Sequence, residues 1–490
     1  MPYKDKCFST CKEFEKDECN PPRCKYNKGP ILEYCRISHK YKMNKPKCNV
    51  TRRIKKSEQK AYATKKIGEM IKRSGKFLQT ICSDSGVCIA FGQKTDEITN
   101  FFNGYTNFNY ALTPINKIGM PSANGFIKEI TYEKQGYFSH AILKSAQNPE
   151  ADNLVYEYLV GIKFINRILK QFPCFIQTYG LYFYKDDLNW KIMKATTPVH
   201  KSNLKNLIIQ NSINYSKACN ESKYAAVLIQ HLHNVKTLDE FISVTMYTRF
   251  LKNDLLYVLF IIYHTLASLS KTFTHYDLHL GNVLLYEPVK GHYINYNYHN
   301  SDGSVTQFYS PYIPKIIDYG RSFFDNGNMN SNKIYKKICS IKDCDPNCGE
   351  DYGFTFLNPN SKIFITSSKK NESHDLRLLK ILQKNMDHIF NIVHIKPTEA
   401  TFIETDKILN KIVYGAGINN KEYQQYGTQE NLNISNKKIY NIHGAYSELK
   451  AAIELPNINA ENQKNYNKFS NLLGTLHIYH DGRPMKYETM

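Results

Sequence analysis

Leu255 to Tyr263 is an unbroken run of nine apolar residues, followed at once by His264 and Thr265. A membrane helix needs roughly 20 such residues. The run is therefore read as a helix, extending to about Leu269, that is apolar all round and so buried in a protein core. The rest of the chain can supply that core. It has 490 residues, enough for two to four domains, and its 42% hydrophobic and 22% charged residues exclude a wholly disordered chain. The opening Met-Pro-Tyr-Lys-Asp-Lys-Cys has no apolar stretch behind its charges, so no secretory signal is expected. The 13 cysteines are accordingly expected to be mostly thiols in a reducing compartment.

Net charge is +21, and residues 1–76 hold 22 Lys+Arg against 8 Asp+Glu, so two thirds of the excess is N-terminal. Such a segment favours anionic partners, a polyanion or nucleic acid among them. It carries six cysteines (Cys7, Cys11, Cys19, Cys24, Cys35 and Cys48) and no sustained helical or strand period before Ser57. A flexible basic arm fits this composition. A zinc-bound module is the alternative, although the spacings lack a C-x2-C pair. Ser57–Ser74 is rich in helix formers and stops at Gly75.

Further along, Phe126–Tyr132 alternates, Gln135-Gly136 turns, and Phe138–Lys144 resumes as a second strand. Asn148-Pro149 then opens a helix whose apolar stripe is Leu154, Tyr158, Ile162, Ile165 and Leu169, with Glu157 at its edge. Val227–Gln230 is a short buried-type strand, and Thr237-Leu-Asp-Glu240 is a capping box starting a helix. An Asp302-Gly303 turn joins His292–Tyr298 to Ser304–Tyr309 as a tyrosine-rich hairpin. Lys315–Ile317 is a strand, and Leu376, Leu379, Leu382, Met386 and Ile389 repeat with helical spacing. A mostly helical second half is expected after a strand-rich first half. Cys339-x4-Cys344-x3-Cys348 is too irregular for a zinc site, and Gly415-Ala-Gly417 lacks the third glycine of a dinucleotide loop, so both are read as free of that chemistry.

Two segments carry a chemical pattern: Thr274-His-Tyr-Asp-Leu-His-Leu-Gly-Asn-Val-Leu-Leu285 and Pro314-Lys-Ile-Ile-Asp-Tyr-Gly-Arg321. The first places Asp277 and Asn282 on a loop between the apolar helix and a short strand. The second places Asp318 after a strand and before a glycine. Asn282 and Asp318 are oxygen donors of the kind that suits Mg²⁺, which takes few protein ligands and completes its shell with water and phosphate. Asp277 is then the additional carboxylate, placed to accept a proton from a hydroxyl.

These segments resemble the catalytic loop and metal-binding Asp-x-Gly of the protein-kinase fold, here His275-Tyr276-Asp277 with Asn282, and Asp318-Tyr319-Gly320. Ala141-Ile-Leu-Lys144 resembles the strand that carries the family's phosphate-binding lysine, Glu157 its paired glutamate on helix αC, Val227–Leu232 its hinge, and Ser373-His-Asp375-Leu the start of helix αF. The likeness covers roughly residues 110–400. It implies an α+β, two-lobed fold with a small N-lobe antiparallel sheet plus helix αC and a helical C-lobe, with N- and C-terminal extensions. The implied division is 1–76 basic extension, 77–109 lead-in, 110–232 N-lobe, 233–400 C-lobe and 401–490 helical extension.

The resemblance implies an ATP- and Mg²⁺-dependent serine/threonine protein kinase. Asp277, Lys144 and His279 would be catalytic. Lys144, Glu157, Gly125, Ser122, Gln230, Leu232, Asn282 and Asp318 would bind nucleotide, and Asn282 and Asp318 the metal. Three departures stand out. The glycine loop around Gly119–Ile127 keeps one or two glycines, Tyr276 replaces the arginine that senses a phosphorylated activation loop, and His279 replaces a lysine. The string His-x-Asp-x-His-x-x-Asn is also similar to small-molecule phosphotransferases of the same superfold, and a kinase-fold scaffold with little turnover is a third reading. The Cys82–Cys88 stretch and the extensions look like those of kinase-like proteins from large protist-infecting DNA viruses, which would place the protein in host cytoplasm or virion, acting on a protein substrate.

Overall fold

Alternation in Phe126–Tyr132 buries every second side chain, whereas the strand that resumes at Phe138 is buried on both faces from Ala141 onward, and a hairpin through Gln135-Gly136 joins the two. The computed structural model describes residues 24–28, 33–37, 90, 92 and most of 95–489, excepting 120–124, 148–153, 196–197, 214, 216–221, 233–234, 243–248, 341–349, 356–361, 394–397, 415–437 and 468–470. The expected helix at Ser57–Ser74, the Asn148-Pro149 cap, Ser122, Cys82–Cys88, Cys344, Cys348 and Gly415–Gly417 lie outside the described residues. The chain divides into two compact units, residues 1–75 and 76–490. In the first, strands β1 (Cys24–Lys28) and β2 (Glu33–Ile37) pair antiparallel, where the sequence offered no strand period. The hairpin is short enough that two or three alternating residues per strand leave no readable pattern.

The second unit is mixed α+β. Helix α1 (Thr95–Phe101) precedes a six-stranded antiparallel sheet made of β3 (Asn116–Ile118), β4 (Gly125–Lys134), β5 (Tyr137–Ala146), β6 (Thr178–Tyr184), β7 (Leu207–Ile209) and β8 (Ala225–His231), in the order β3-β4-β5-β8-β6-β7. Between β5 and β6 runs helix α2 (Leu154–Val160), which continues through a π turn at Gly161–Ile165. The π turn inserts a residue and rotates the later face. Beyond it Phe164, Ile165 and Leu169 are buried; Leu154 and Leu159 are buried ahead of it, and Tyr158 and Ile162 of the expected stripe are only half-buried.

After β8, strand β9 (Lys236–Thr237) leads into α3 (Leu238–Ile242). The capping box forms as expected: the Thr237 N–H donates to Glu240 Oε2 at 2.6 Å, and the Glu240 N–H donates to Thr237 Oγ1 at 3.3 Å. The apolar run forms α4 (Leu255–Ser268), with Leu255 through Leu266 all buried. Beyond it come β10 (Phe273–Thr274), β11 (Val283–Tyr286), β12 (His292–His299), β13 (Val305–Ser310), β14 (Ile313–Ile316) and β15 (Phe323–Phe324). Strands β11 and β14 pair antiparallel, so the β12–β13 hairpin is an insertion growing from their connection.

The second half departs from the expected helical character. Helices α5 (Arg377–Val393), α6 (Ala400–Leu409), α7 (Ile442–Ile453) and α8 (Pro456–Asn467) are present, but β16 (Asn471–Tyr479) and β17 (Lys486–Thr489) complete a four-stranded sheet with the inserted hairpin, β16 running parallel to β12. Residues 401–490 are thus not a purely helical appendage. Ile442, Ala445, Leu449 and Ile478 belong to the same core cluster as α4.

Candidate active site

Lys144 lies on β5, the second strand of the hairpin, and its Nζ donates to Glu157 Oε2 and to Asp318 Oδ1, each at 2.8 Å. Lys144 is 8% exposed and Glu157 3%. An amine this buried is tolerated because two carboxylates face it. Glu157 reaches it from the first turn of α2, so the sheet and the helix are joined by this one cation. A third of the Asp318 side chain is open to solvent. Burial opposes its ionisation, but the charge and hydrogen bond of Lys144 outweigh this and hold the carboxyl below the usual range.

Asp318 follows β14 and has φ of +70°, a left-handed conformation that side chains bearing a Cβ rarely adopt. Val283 pairs with Ile316, and the next N–H along, that of Ile317, donates to the Asn282 carbonyl at 3.0 Å. Asn282 and Asp318 thereby sit side by side at one end of a strand pair. The Asn282 Nδ2 donates to the Asp277 carbonyl at 2.9 Å, which leaves its Oδ1 as the acceptor end of the amide.

The loop holding Asp277 is fixed from two sides. Asp375, at the turn before α5, accepts the His275 N–H at 2.8 Å and the Tyr276 N–H at 3.0 Å. Burial pushes the Asp375 carboxyl up to about 7, with the two backbone donors and Arg377 pulling the other way. His275 is buried and lowered to about 4, chiefly by that burial. It is neutral, with Nδ1 accepting the Asp277 N–H at 3.2 Å and Nε2 within 2.9 Å of the Ile317 carbonyl. The ring therefore ties the Asp277 loop to Ile317, the residue between β14 and Asp318.

Asp277 Oδ1 accepts a hydrogen bond from Arg377 Nη1 at 2.6 Å, a contact between residues a hundred positions apart. His279 Nδ1 accepts the Gly281 N–H at 3.1 Å, while its Nε2 stands 3.9 Å from Asp277 Oδ1. Burial lowers the His279 pKa, with Asp277 opposing and Arg377 assisting. The imidazole caps a short turn at Leu280–Asn282 and is neutral near pH 7.

Lys144, Glu157 and Asp318 are in direct contact, and Asp277, His279 and Asn282 share the adjoining loop. Gly125 opens β4 opposite Ala146, and a Cβ there would lie 2.9 Å from the Ser145 carbonyl, which accounts for the glycine. Gln230 turns its Oε1 to the Gln177 N–H at 3.1 Å, and Leu232 is buried in the main core. Arg377 was not foreseen: a basic residue opening a helix is commonplace, and nothing local marks it as a partner of Asp277.

No family model matches the chain, and no curated protein matches it. Among 311 matching chains of solved structure is a crystal structure of the kinase domain of PF14_0431, 15% identical, with a TM-score of 0.25, covering 47% of this chain and 59% of that one.

Proposed function

We propose that residues 110–400 form a kinase-like, two-lobed phosphotransferase that uses ATP and Mg²⁺ to phosphorylate an alcohol acceptor, with a serine or threonine of a protein as the acceptor. The observation that carries this reading is the buried Lys144–Glu157–Asp318 contact beside the Asp277–Asn282 loop. The donor set fits the groups required. Asn282 Oδ1 and the second oxygen of Asp318 would hold Mg²⁺, and Lys144 would hold phosphate oxygens while Glu157 keeps it in place. Bound Mg·ATP would supply a γ-phosphoryl group whose bond to the β-phosphate oxygen breaks as its bond to the acceptor oxygen forms. Asp277 orients the acceptor hydroxyl and takes its proton at the carboxylate. Its Oδ1 is taken by Arg377, so Oδ2 is the oxygen that would receive the acceptor's proton. The grip of Asp375 on the loop backbone favours the protein-kinase version of the superfold over its small-molecule relatives.

Asp277→Asn and Asp318→Asn test the roles separately. Asp277→Asn should lower turnover by about 10²–10⁴-fold with Mg·ATP affinity nearly unchanged. Asp318→Asn should abolish transfer and weaken Mg·ATP binding by about tenfold or more. Equal loss of nucleotide affinity in both variants would sink the assignment.

A further inference from the structure

We propose that Arg377 is a positioning residue for phosphoryl transfer, holding the Asp277 carboxylate in its working orientation on the acceptor side of the site. The inference rests on the phosphotransferase reading above. Its basis is geometric: Arg377 Nη1 lies 2.6 Å from Asp277 Oδ1, with the two side chains only 8% and 17% exposed. A charge-assisted hydrogen bond this short fixes a carboxylate far better than a neutral one does.

The same segment grips the loop twice. Asp375 takes the backbone N–H groups of His275 and Tyr276, and two residues later Arg377 takes the side chain of Asp277. Leu376 between them is fully buried, so the pair is anchored in the core rather than swinging on a surface helix. A carboxylate whose Oδ1 is claimed in this way presents Oδ2 in one direction.

The neighbouring side chains do not substitute for it. Tyr276 sends its hydroxyl to the Lys369 carbonyl at 2.8 Å. His279 uses Nδ1 to accept the Gly281 N–H, and its Nε2 at 3.9 Å is beyond hydrogen-bond reach of Asp277. Lys144 is engaged with Glu157 and Asp318. Among the described residues, Arg377 is the cation hydrogen-bonded to Asp277.

The test is steady-state transfer from Mg·ATP to a mixed protein substrate by the full chain, with nucleotide binding and thermal melting measured on each variant. Arg377→Ala should lower kcat by about 30–100-fold while KM for ATP stays within about twofold, since a misplaced catalytic group costs rate without loosening the nucleotide. Arg377→Lys should recover about a tenth or more of wild-type kcat, and millimolar methylguanidine should raise the kcat of Arg377→Ala several-fold. A purely structural residue would give neither recovery. Should Arg377→Ala fail to fold, Arg377→Gln keeps a hydrogen-bond donor without the charge and should show the same split. Wild-type kcat in Arg377→Ala or Arg377→Gln would overturn the inference, and so would a loss that tracks the melting temperature without rescue by Lys or methylguanidine. A wild-type protein that binds no Mg·ATP would overturn the phosphotransferase reading, and this inference with it; normal binding with an indifferent Arg377 overturns the inference alone.

Discussion

His264 follows directly on the apolar run Leu255–Tyr263, and it makes the buried helix sensitive to acid. It lies on α4, packed edge-on against Tyr298 at 4.5 Å and Tyr446 at 5.5 Å, and its Nδ1 has no hydrogen-bond partner among the described residues. Burial drives its pKa down to about 3 from an ordinary 6.5. Below pH 6.5 the unfolded chain takes up a proton that the folded chain refuses, so stability falls with pH until about pH 3. Each unit is worth about 1.4 kcal/mol, which gives roughly 2 kcal/mol lost between neutrality and pH 5 through this one residue. His264→Phe keeps a ring of similar shape and removes the titration. Urea unfolding of both proteins at pH 7.5 and pH 5.0 should show the variant gaining about 2 kcal/mol on the wild type between the two conditions. Parallel losses in the two proteins would refute the argument, since the site would then accept the proton or find it a partner.

Two further outcomes are expected. A Cβ added at Gly161 would collide with Thr178 Oγ1, and the strand behind it is pinned by Asn166 to the Thr178 backbone, so Gly161→Ala should lower stability by about 1–3 kcal/mol and, on the function proposed above, weaken nucleotide binding by displacing Glu157 one turn earlier. Thermal melting and nucleotide titration of Gly161→Ala against Gly161→Ala/Thr178→Ala check it, because trimming Thr178 should restore both. We propose that residues 1–76, which hold most of the excess positive charge, bind polyanions; deleting them should leave transfer activity and remove salt-dependent retention on heparin, and unchanged retention would place that binding elsewhere.

The parts of this molecule that were legible in its sequence are those specified by neighbours along the chain. Alternation gave β4 and the Gln135-Gly136 turn gave β5 after it, Thr237 and Glu240 gave their reciprocal cap, and Asp302-Gly303 gave the hairpin turn, where Asp302 Oδ1 accepts the Ser304 N–H and Gly303 has φ of +83°. The pairing of Lys144 with Glu157 came from the resemblance alone, each residue lying on an element that local pattern marks, and the two are in contact at 2.8 Å. What stayed hidden is long-range. The pairing of His292–His299 with Asn471–Tyr479 spans some 180 residues and leaves no mark on either strand, since each needs only apolar positions at every second residue. Gln230 was assigned through the likeness of Val227–Leu232 to a hinge, and the bond its Oε1 accepts from the Gln177 N–H, 53 positions away, left no mark in the sequence. Lys315 read as an ordinary strand residue. It is buried, and its Nζ donates to the carbonyls of Ala90, Pro173 and Phe175, with burial lowering its pKa to about 7.

Tyr276 shows how such distant pairings bear on control of the site. It stands where the resembled family carries an arginine, and its φ of +65° is a strained conformation held by the bond from its N–H to Asp375. Its hydroxyl donates to the Lys369 carbonyl, and its ring packs in one cluster with Phe323 and Ile365 and edge-on to His374 at 4.7 Å. An arginine in this place could pair with a phosphate added to the segment between Asp318 and Asp375, and its contacts would then depend on whether the phosphate was there. A phenol bound to a backbone carbonyl offers no charge for such a phosphate to engage. The loop is instead held by Asp375, Tyr276 and His275, all buried and all bonded to backbone groups. Its geometry in this structure is therefore set by contacts within the folded core, among them those of the segment that opens α5.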